Sequence, residues 1–154
     1  MNRNSETCHL ADEAGLLAHA EAVCARQNVA FTPIRRDVFT LLCRHDRPVG
    51  AYELLDELKA LRPRAAPVTV YRALEFLLSA GLAHRVNALN AFTACRGSDL
   101  SHTGLMLICS KCSHVIELED RRVETSIQRS AADLAFETGD KLVEVVGTCS
   151  DCQR

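Results

Sequence analysis

Two Cys-x-x-Cys pairs, Cys109/Cys112 and Cys149/Cys152, hold the side chains of this sequence best suited to chemistry. Thiolates are soft donors, and four of them make a closed tetrahedral shell for structural zinc. The first pair sits between the apolar runs Leu107-Ile108 and Val115-Ile116, a pattern that predicts a β-hairpin with a metal knuckle at its bend. The second pair follows the apolar run Leu142 to Val146. A whole helix pattern separates the two, more than a simple zinc ribbon contains. A disulfide pair or a thioredoxin-like redox site competes with this reading. Neither pair has a βαβ context and there are two of them, so the spacing favours zinc.

A second set of possible ligands comprises His84, Cys95, His102 and Glu117. A turn centred between Ala88 and Leu89 would pair His84 with Thr93 and bring Cys95 to the same face as a diagonal neighbour. Two imidazoles, a thiolate and a carboxylate suit Zn²⁺. Glu119, on the same strand face as Glu117, and the nearby His114 are alternative ligands. Isolated histidines on strands are more often ordinary surface residues, which is the competing reading.

The composition bounds what can position these groups. The chain has 154 residues, enough for one domain or two small ones, and is 47% hydrophobic and 25% charged, as in a soluble globular protein. No apolar run approaches the roughly 18 residues of a membrane helix. The N-terminal residues lack an apolar signal core, so a cytoplasmic location with reduced thiols is expected, and no membrane partner. Cys24 and Cys43 fall within apolar helical patterns and read as packing residues, while Cys8 and His9 receive no role. The formal charge is -2, unevenly spread. Residues 30–87 carry nine Lys/Arg against six Asp/Glu (+3), and residues 88–154 carry seven against ten (-3). A phosphate-binding surface therefore belongs in the first half. No Ser/His/Asp set, phosphate loop or His-Glu-x-x-His motif points to an enzyme or a small-molecule substrate.

Four helices are predicted first. Leu16, Leu17, Ala20, Val23 and Cys24 stripe the first, between Glu13 and Val29. The second starts at Thr32-Pro33, with Ile34, Val38, Leu41 and Leu42 apolar. The third covers Tyr52 to Leu61, with Leu54, Leu55, Leu58 and Leu61 inward and Tyr52, Asp56 and Lys59 on the other face. The fourth runs from Thr69 to Ala80 on Val70, Ala73, Leu74, Leu77 and Leu78, and Gly81 ends it. Two strands follow, Leu82 to Val86 and Ala91 to Cys95. Helices followed by a hairpin are the layout of a winged helix-turn-helix, whose last helix before the wing enters the DNA major groove. Its outward residues are Thr69, Tyr71, Arg72 and Glu75, and an arginine near the start of such a helix suits bidentate contact with guanine. Arg62 and Arg64 are candidates for phosphate contact. A merely solvated helix face is the competing reading.

The expected fold class is α+β. Residues 1–95 form the winged-helix DNA-binding domain, the polar stretch 96–103 a hinge, and residues 104–154 a small α/β domain holding the paired cysteines. The second domain reads strand, knuckle, strand, helix, strand. Its helix is expected from Arg121 to Phe136, with Val123, Ile127, Ala131 and Leu134 on one face, and Gly139-Asp140 ends it. So small a sheet needs metal, dimerisation or both. A ligand set drawn from both sides of the hinge would couple metal occupancy to domain orientation.

Thr69-Val70-Tyr71-Arg72-Ala73-Leu74, with Leu78-Ser79-Ala80-Gly81-Leu82, resembles the recognition-helix signature of the ferric-uptake-regulator family. His102-Thr103-Gly104, Ile108-Cys109-Ser110-Lys111-Cys112 and the distal Cys149/Cys152 pair resemble its dimerisation domain. The resemblance implies a homodimeric, metal-responsive repressor that binds double-stranded, palindromic operator DNA. Only His102 stands where iron-sensing members have a histidine-rich run, and Cys95 is a zinc-favouring thiolate, so the chain looks like the zinc-sensing branch. That branch implies two Zn²⁺ per chain and repression of zinc-uptake genes. One ion is structural, on Cys109, Cys112, Cys149 and Cys152, and one regulatory, on His84, Cys95, His102 and Glu117. It selects Glu117 over Glu119 and implies that Tyr52 and Arg72 contact DNA. Another metal or peroxide sensor of the family is the nearest alternative, and a thiol redox or zinc-buffering protein the alternative from another class.

Overall fold

The computed structural model describes residues 13–95, 104–118, 120–139 and 142–154. It divides into two units, Met1–Ser98 and Asp99–Arg154.

The first unit contains α1 (Glu13–Arg26), α2 (Pro33–Arg44), α3 (Ala51–Leu61), α4 (Pro67–Ser79), β1 (Ala83–Val86) and β2 (Ala91–Ala94). The apolar stripes converge on one core, in which Leu16, Phe39, Leu42, Leu54, Leu58 and Leu74 are fully buried. Each such side chain contributes roughly 1.5–3 kcal/mol by leaving water. The third stripe is shorter than its periodicity implies. Leu61, expected inward, is 57% exposed, because the helix ends there at Arg62 and the chain turns away. The fourth helix also begins earlier than expected, at Pro67 rather than Thr69. Proline is preset for a first helical turn. Thr69 then serves that turn, its hydroxyl accepting the Ala66 N–H at 3.4 Å. Gly81 closes α4 as expected: at φ 71° it is left-handed, and the Leu82 N–H reaches the Leu77 carbonyl at 2.8 Å.

The wing is antiparallel, with His84 opposite Thr93, the register read from the sequence. A short 3-10 turn, Asn87–Leu89, and a left-handed Asn90 make its bend. Val49, between α2 and α3, adds a bridge to Phe92, each residue's N–H reaching the other's carbonyl at 2.8 Å.

The second unit has β3 (Gly104–Cys109), β4 (Val115–Leu118), α5 (Arg121–Asp133) and β5 (Leu142–Gly147). The sheet order is β4-β3-β5; β3 pairs antiparallel with β4 and parallel with β5, and α5 lies in the crossover between β4 and β5. Asp120 caps α5, its carboxylate accepting the Arg122 N–H at 2.8 Å. The helix ends three residues before the expected Phe136. Ala135 turns left-handed and the Phe136 N–H returns to the Ala131 carbonyl at 2.9 Å, so the terminal carbonyls are satisfied before Gly139 is reached. Leu134, expected on the packed face, is consequently 81% exposed.

Candidate metal centres and DNA-reading face

The hairpin β3–β4 and the end of β5 bring the paired cysteines together. β3 is central and fully flanked, so Cys109 at its end is buried. The turn after it is closed by Cys109 N–H on the His114 carbonyl and Ser113 N–H on the Cys109 carbonyl, both at 2.9 Å, with Ser113 left-handed at φ 59°. The parallel register of β5 against β3 carries Gly147 opposite Cys109, which delivers Cys149 to the same end of the sheet. Ser110 ties this end together, its backbone N–H and its hydroxyl both reaching the Gly147 carbonyl, at 2.9 and 3.1 Å. Lys111 does the same for the second knuckle, its Nζ donating to the Cys152 carbonyl at 2.9 Å. Neither tie was legible in the sequence.

The sulfurs of Cys109, Cys112, Cys149 and Cys152 all lie within 4.8 Å of one another. Cys112 Sγ and Cys149 Sγ are 3.7 Å apart. A disulfide needs about 2.05 Å, whereas the edge of a tetrahedron with Zn–S bonds of about 2.3 Å is about 3.8 Å. The four cysteines therefore fit a zinc ion and not a bridge. Backbone amides already favour the anionic form: N–H groups of Cys149 and Cys112 lower the Cys109 thiol to about 6. Cys152 moves the other way, pushed up to about 12 by hydrogen bonds with the thiols of Cys149 and Cys112. Thiols packed this closely cannot all ionise alike, so Cys109 falls while Cys152 rises.

Within the first unit, the wing register places His84 on β1 and Cys95 just past β2, with their ligand atoms within 4.8 Å. Cys95 is buried, and its N–H is fixed on the Leu82 carbonyl at 2.9 Å. Glu117 lies on β4 of the second unit, half-buried and opposite Met106. His102 and the hinge, residues 96–103, lie outside the described residues, as does Glu119. His114 is exposed beside the first knuckle.

The outward face of α4 carries the expected readers. Tyr71 is 43% exposed, Arg72 and Glu75 are exposed, and Tyr52 on α3 is 66% exposed. Thr69 is half-buried and occupied with the helix start. Arg62 and Arg64 differ in their surroundings. Arg64 is exposed, whereas Arg62 donates to the Asp37 carboxylate at 2.5 Å, tying the end of α3 to α2. The wing adds a cation that the sequence reading passed over: exposed Arg85 on β1, held by Asn90 Oδ1 at 3.1 Å. Its alternation out of the wing core was the signal available.

Residues 26–146 match the sequence profile of the ferric uptake regulator family. The zinc uptake regulation protein of Escherichia coli (strain K12) is 41% identical over 138 residues, 89% of this chain and 81% of that protein. That of Mycobacterium tuberculosis (strain ATCC 25618 / H37Rv) is 32% identical over 125 residues, 81% of this chain and 95% of its own. Among solved structures, a zinc uptake regulator complexed with zinc and DNA is similar at a TM-score of 0.86 and 39% identity, over 92% of this chain and 95% of that one. Holo XcZur gives 0.82 and 38%, over 92% and 99%. With the family profile matched over residues 26–146 and relatives of 32–41% identity spanning most of its length, the chain belongs to the ferric uptake regulator family.

Proposed function

We propose that this protein is a zinc-responsive transcriptional repressor, which binds the palindromic operators of zinc-uptake genes when zinc is plentiful. The observation that carries the reading is one chain combining four cysteine sulfurs at zinc spacing with an exposed Tyr71–Arg72 pair on a recognition helix. Relatives named as zinc uptake regulators, one of them complexed with zinc and DNA, support it. Two zinc ions per chain are assigned to two roles. Cys109, Cys112, Cys149 and Cys152 hold the structural ion. His84, Cys95, His102 and Glu117 hold the regulatory one, an N/S/O donor set suited to zinc. The regulatory ligands come from both sides of the hinge 96–103, so their shared ion is the link between zinc supply and DNA binding. By linkage, zinc and operator strengthen each other's binding equally.

Domain limits of 1–95 and 104–154 follow from this reading. Tyr52, Tyr71 and Arg72 face bases, Arg64 faces phosphate, and Thr69 supports the helix start. Arg62 reaches phosphate only by exchanging its Asp37 partner. The working form is a homodimer. The sheet of the second unit exposes the cross-strand row Ile116, Leu107 and Val145 at 38%, 37% and 47%, an apolar stripe that a second copy would cover. No helix among the described residues is long and apolar enough to cross a membrane, and the protein acts in the cytoplasm as a binding protein, not an enzyme.

The experiment is a gel shift of the full chain on promoter fragments next to its own gene, with free zinc buffered from picomolar to micromolar, and with iron and manganese in parallel. Zinc-dependent, sequence-specific retardation is expected. Equal binding with every metal, or none at all, would overturn the proposal.

A further inference from the structure

Outside the centres above, one cluster of metal-ligating side chains stands among the described residues of the first unit. His45, Glu53 and Glu57 place one ligand atom each within 4.8 Å of one another. The backbone explains why. Glu53 and Glu57 are four residues apart on α3, so they share one face of the helix. His45 is the C-cap of α2, in extended conformation, so its ring leaves the helix and meets that face. Its Nε2 lies 2.8 Å from Glu57 Oε1. The imidazole side chain is 20% exposed and the Glu57 side chain 35% exposed, while the Glu53 side chain is exposed, so the group is partly sheltered at the surface.

We propose that His45, Glu53 and Glu57 form a further divalent transition-metal site, taking Zn²⁺ at concentrations above those that fill the other centres. One imidazole and two carboxylates are borderline donors, a set that zinc accepts with water completing its shell. A cation already occupies part of the place: Arg47 Nη2 lies 2.5 Å from Glu53 Oε1, and its Nη1 donates to the Pro48 carbonyl at 3.3 Å. The neighbouring Arg44 is directed elsewhere, onto Glu13 at 3.1 and 3.3 Å. Glu53 and Arg47 are about half-exposed, and such pairs are weak, so a divalent ion displaces the guanidinium at little cost. The ion then competes with Arg47 for Glu53, which sets a modest affinity. None of these residues belongs to the tetracysteine or hinge sets, so the site stands or falls independently of the proposed function.

The test is equilibrium dialysis of the full chain against buffered free zinc, from nanomolar to tens of micromolar, with ion content read by mass spectrometry. Wild type is compared with Glu53→Gln, His45→Ala and Arg47→Gln, with circular dichroism confirming that each is folded. At the top of the range, Glu53→Gln and His45→Ala are expected to bind one ion per chain fewer than wild type. Arg47→Gln is expected to fill the same site at about twofold to fivefold lower zinc, the release of one exposed ion pair. Glu53→Gln sits on a partly exposed helix face and leaves the core intact, so it decides the matter if His45→Ala misfolds. Equal zinc content in wild type and Glu53→Gln across the whole range overturns the site. So does an Arg47→Gln protein that binds less zinc than wild type.

Discussion

Cys112 Sγ and Cys149 Sγ lie 3.7 Å apart although 37 residues separate them in the chain. That separation suits two thiolates on one zinc ion. An ion held there would join the β3–β4 hairpin to the end of β5 across the whole of α5. The unit beneath it, Asp99–Arg154, is small enough that its core alone supplies little stability, the size at which a metal or a second copy is usually needed. Cys149→Ser is therefore expected to lose the zinc and the fold of the second unit together. In small zinc domains the ion supplies about 10–16 kcal/mol of apparent free energy. Circular dichroism and zinc content measure it, and a folded Cys149→Ser chain without the ion would count against a structural role.

The same site makes a prediction about pH. Amides of Cys149 and Cys112 lower Cys109 from 9.0 to about 6 in the folded chain. A group lowered on folding contributes stability above its unfolded value, here 9.0, and loses it as pH falls through about 6. Above that pH zinc no longer has to displace the Cys109 proton. The plot of log apparent zinc affinity against pH should thus steepen by about one unit of slope below pH 6, the extra proton released. Competition with a chromophoric chelator from pH 5 to 8 gives the plot. A line of constant slope through pH 6 would show that Cys109 is an ordinary thiol.

On DNA, Arg72→Ala is expected to cost about 1–3 kcal/mol and to relax base preference at one position of each half-site. Arg64→Ala should weaken all sequences alike and reduce the salt slope by about 1. Arg62→Ala should do so less, since its guanidinium is engaged by Asp37. Fluorescence anisotropy on operator and scrambled duplexes separates the three, and an Arg72→Ala protein with unaltered preference would remove α4 as the reader.

Cys95→Ser should leave a folded dimer with one zinc per chain fewer and poor operator binding at moderate zinc. Mild chelation of wild type should reach the same state, because ligands shared across a hinge release metal faster than a closed tetrathiolate. Native mass spectrometry beside operator affinity decides. A Cys95→Ser protein with full zinc and wild-type affinity would exclude Cys95 from the sensory set.

Leu107→Asp puts a charge in the middle of the exposed row Ile116–Leu107–Val145. If a second copy covers that row, burying the unpaired carboxylate costs several kcal/mol and the dimer dissociates. Sedimentation at micromolar chain concentration is the measure, and an unchanged dimer would place the interface elsewhere.

Most of the helices and the wing register were legible because they follow from periodicity and turn chemistry. His84 opposite Thr93 needed only the position of a turn. The tetracysteine cluster was legible because thiolate pairs at that spacing have few other uses. The end of α5 was not. A left-handed Ala135 stops the helix before the glycine, against the usual preference for Gly in that position, so Leu134 leaves the apolar face. Nor was the His45–Glu57 contact legible, since it depends on how the end of α2 meets α3 and not on spacing along one element. The pairing of Arg62 with Asp37 was hidden for the same reason.

The paired hydrogen bonds between Val49 and Phe92 give the first unit a mechanical property. They stitch the α2–α3 connection to the wing, while Cys95, one residue beyond β2, is held on the carbonyl of Leu82, next after the glycine that closes α4. A pull applied at Cys95 is therefore not absorbed by a slack hairpin. It loads the base of the recognition helix and the entry to α3 at the same time. Cys95 and the helix that carries Tyr71 and Arg72 therefore belong to one hydrogen-bonded frame, tied to the start of α3 through Val49 and Phe92.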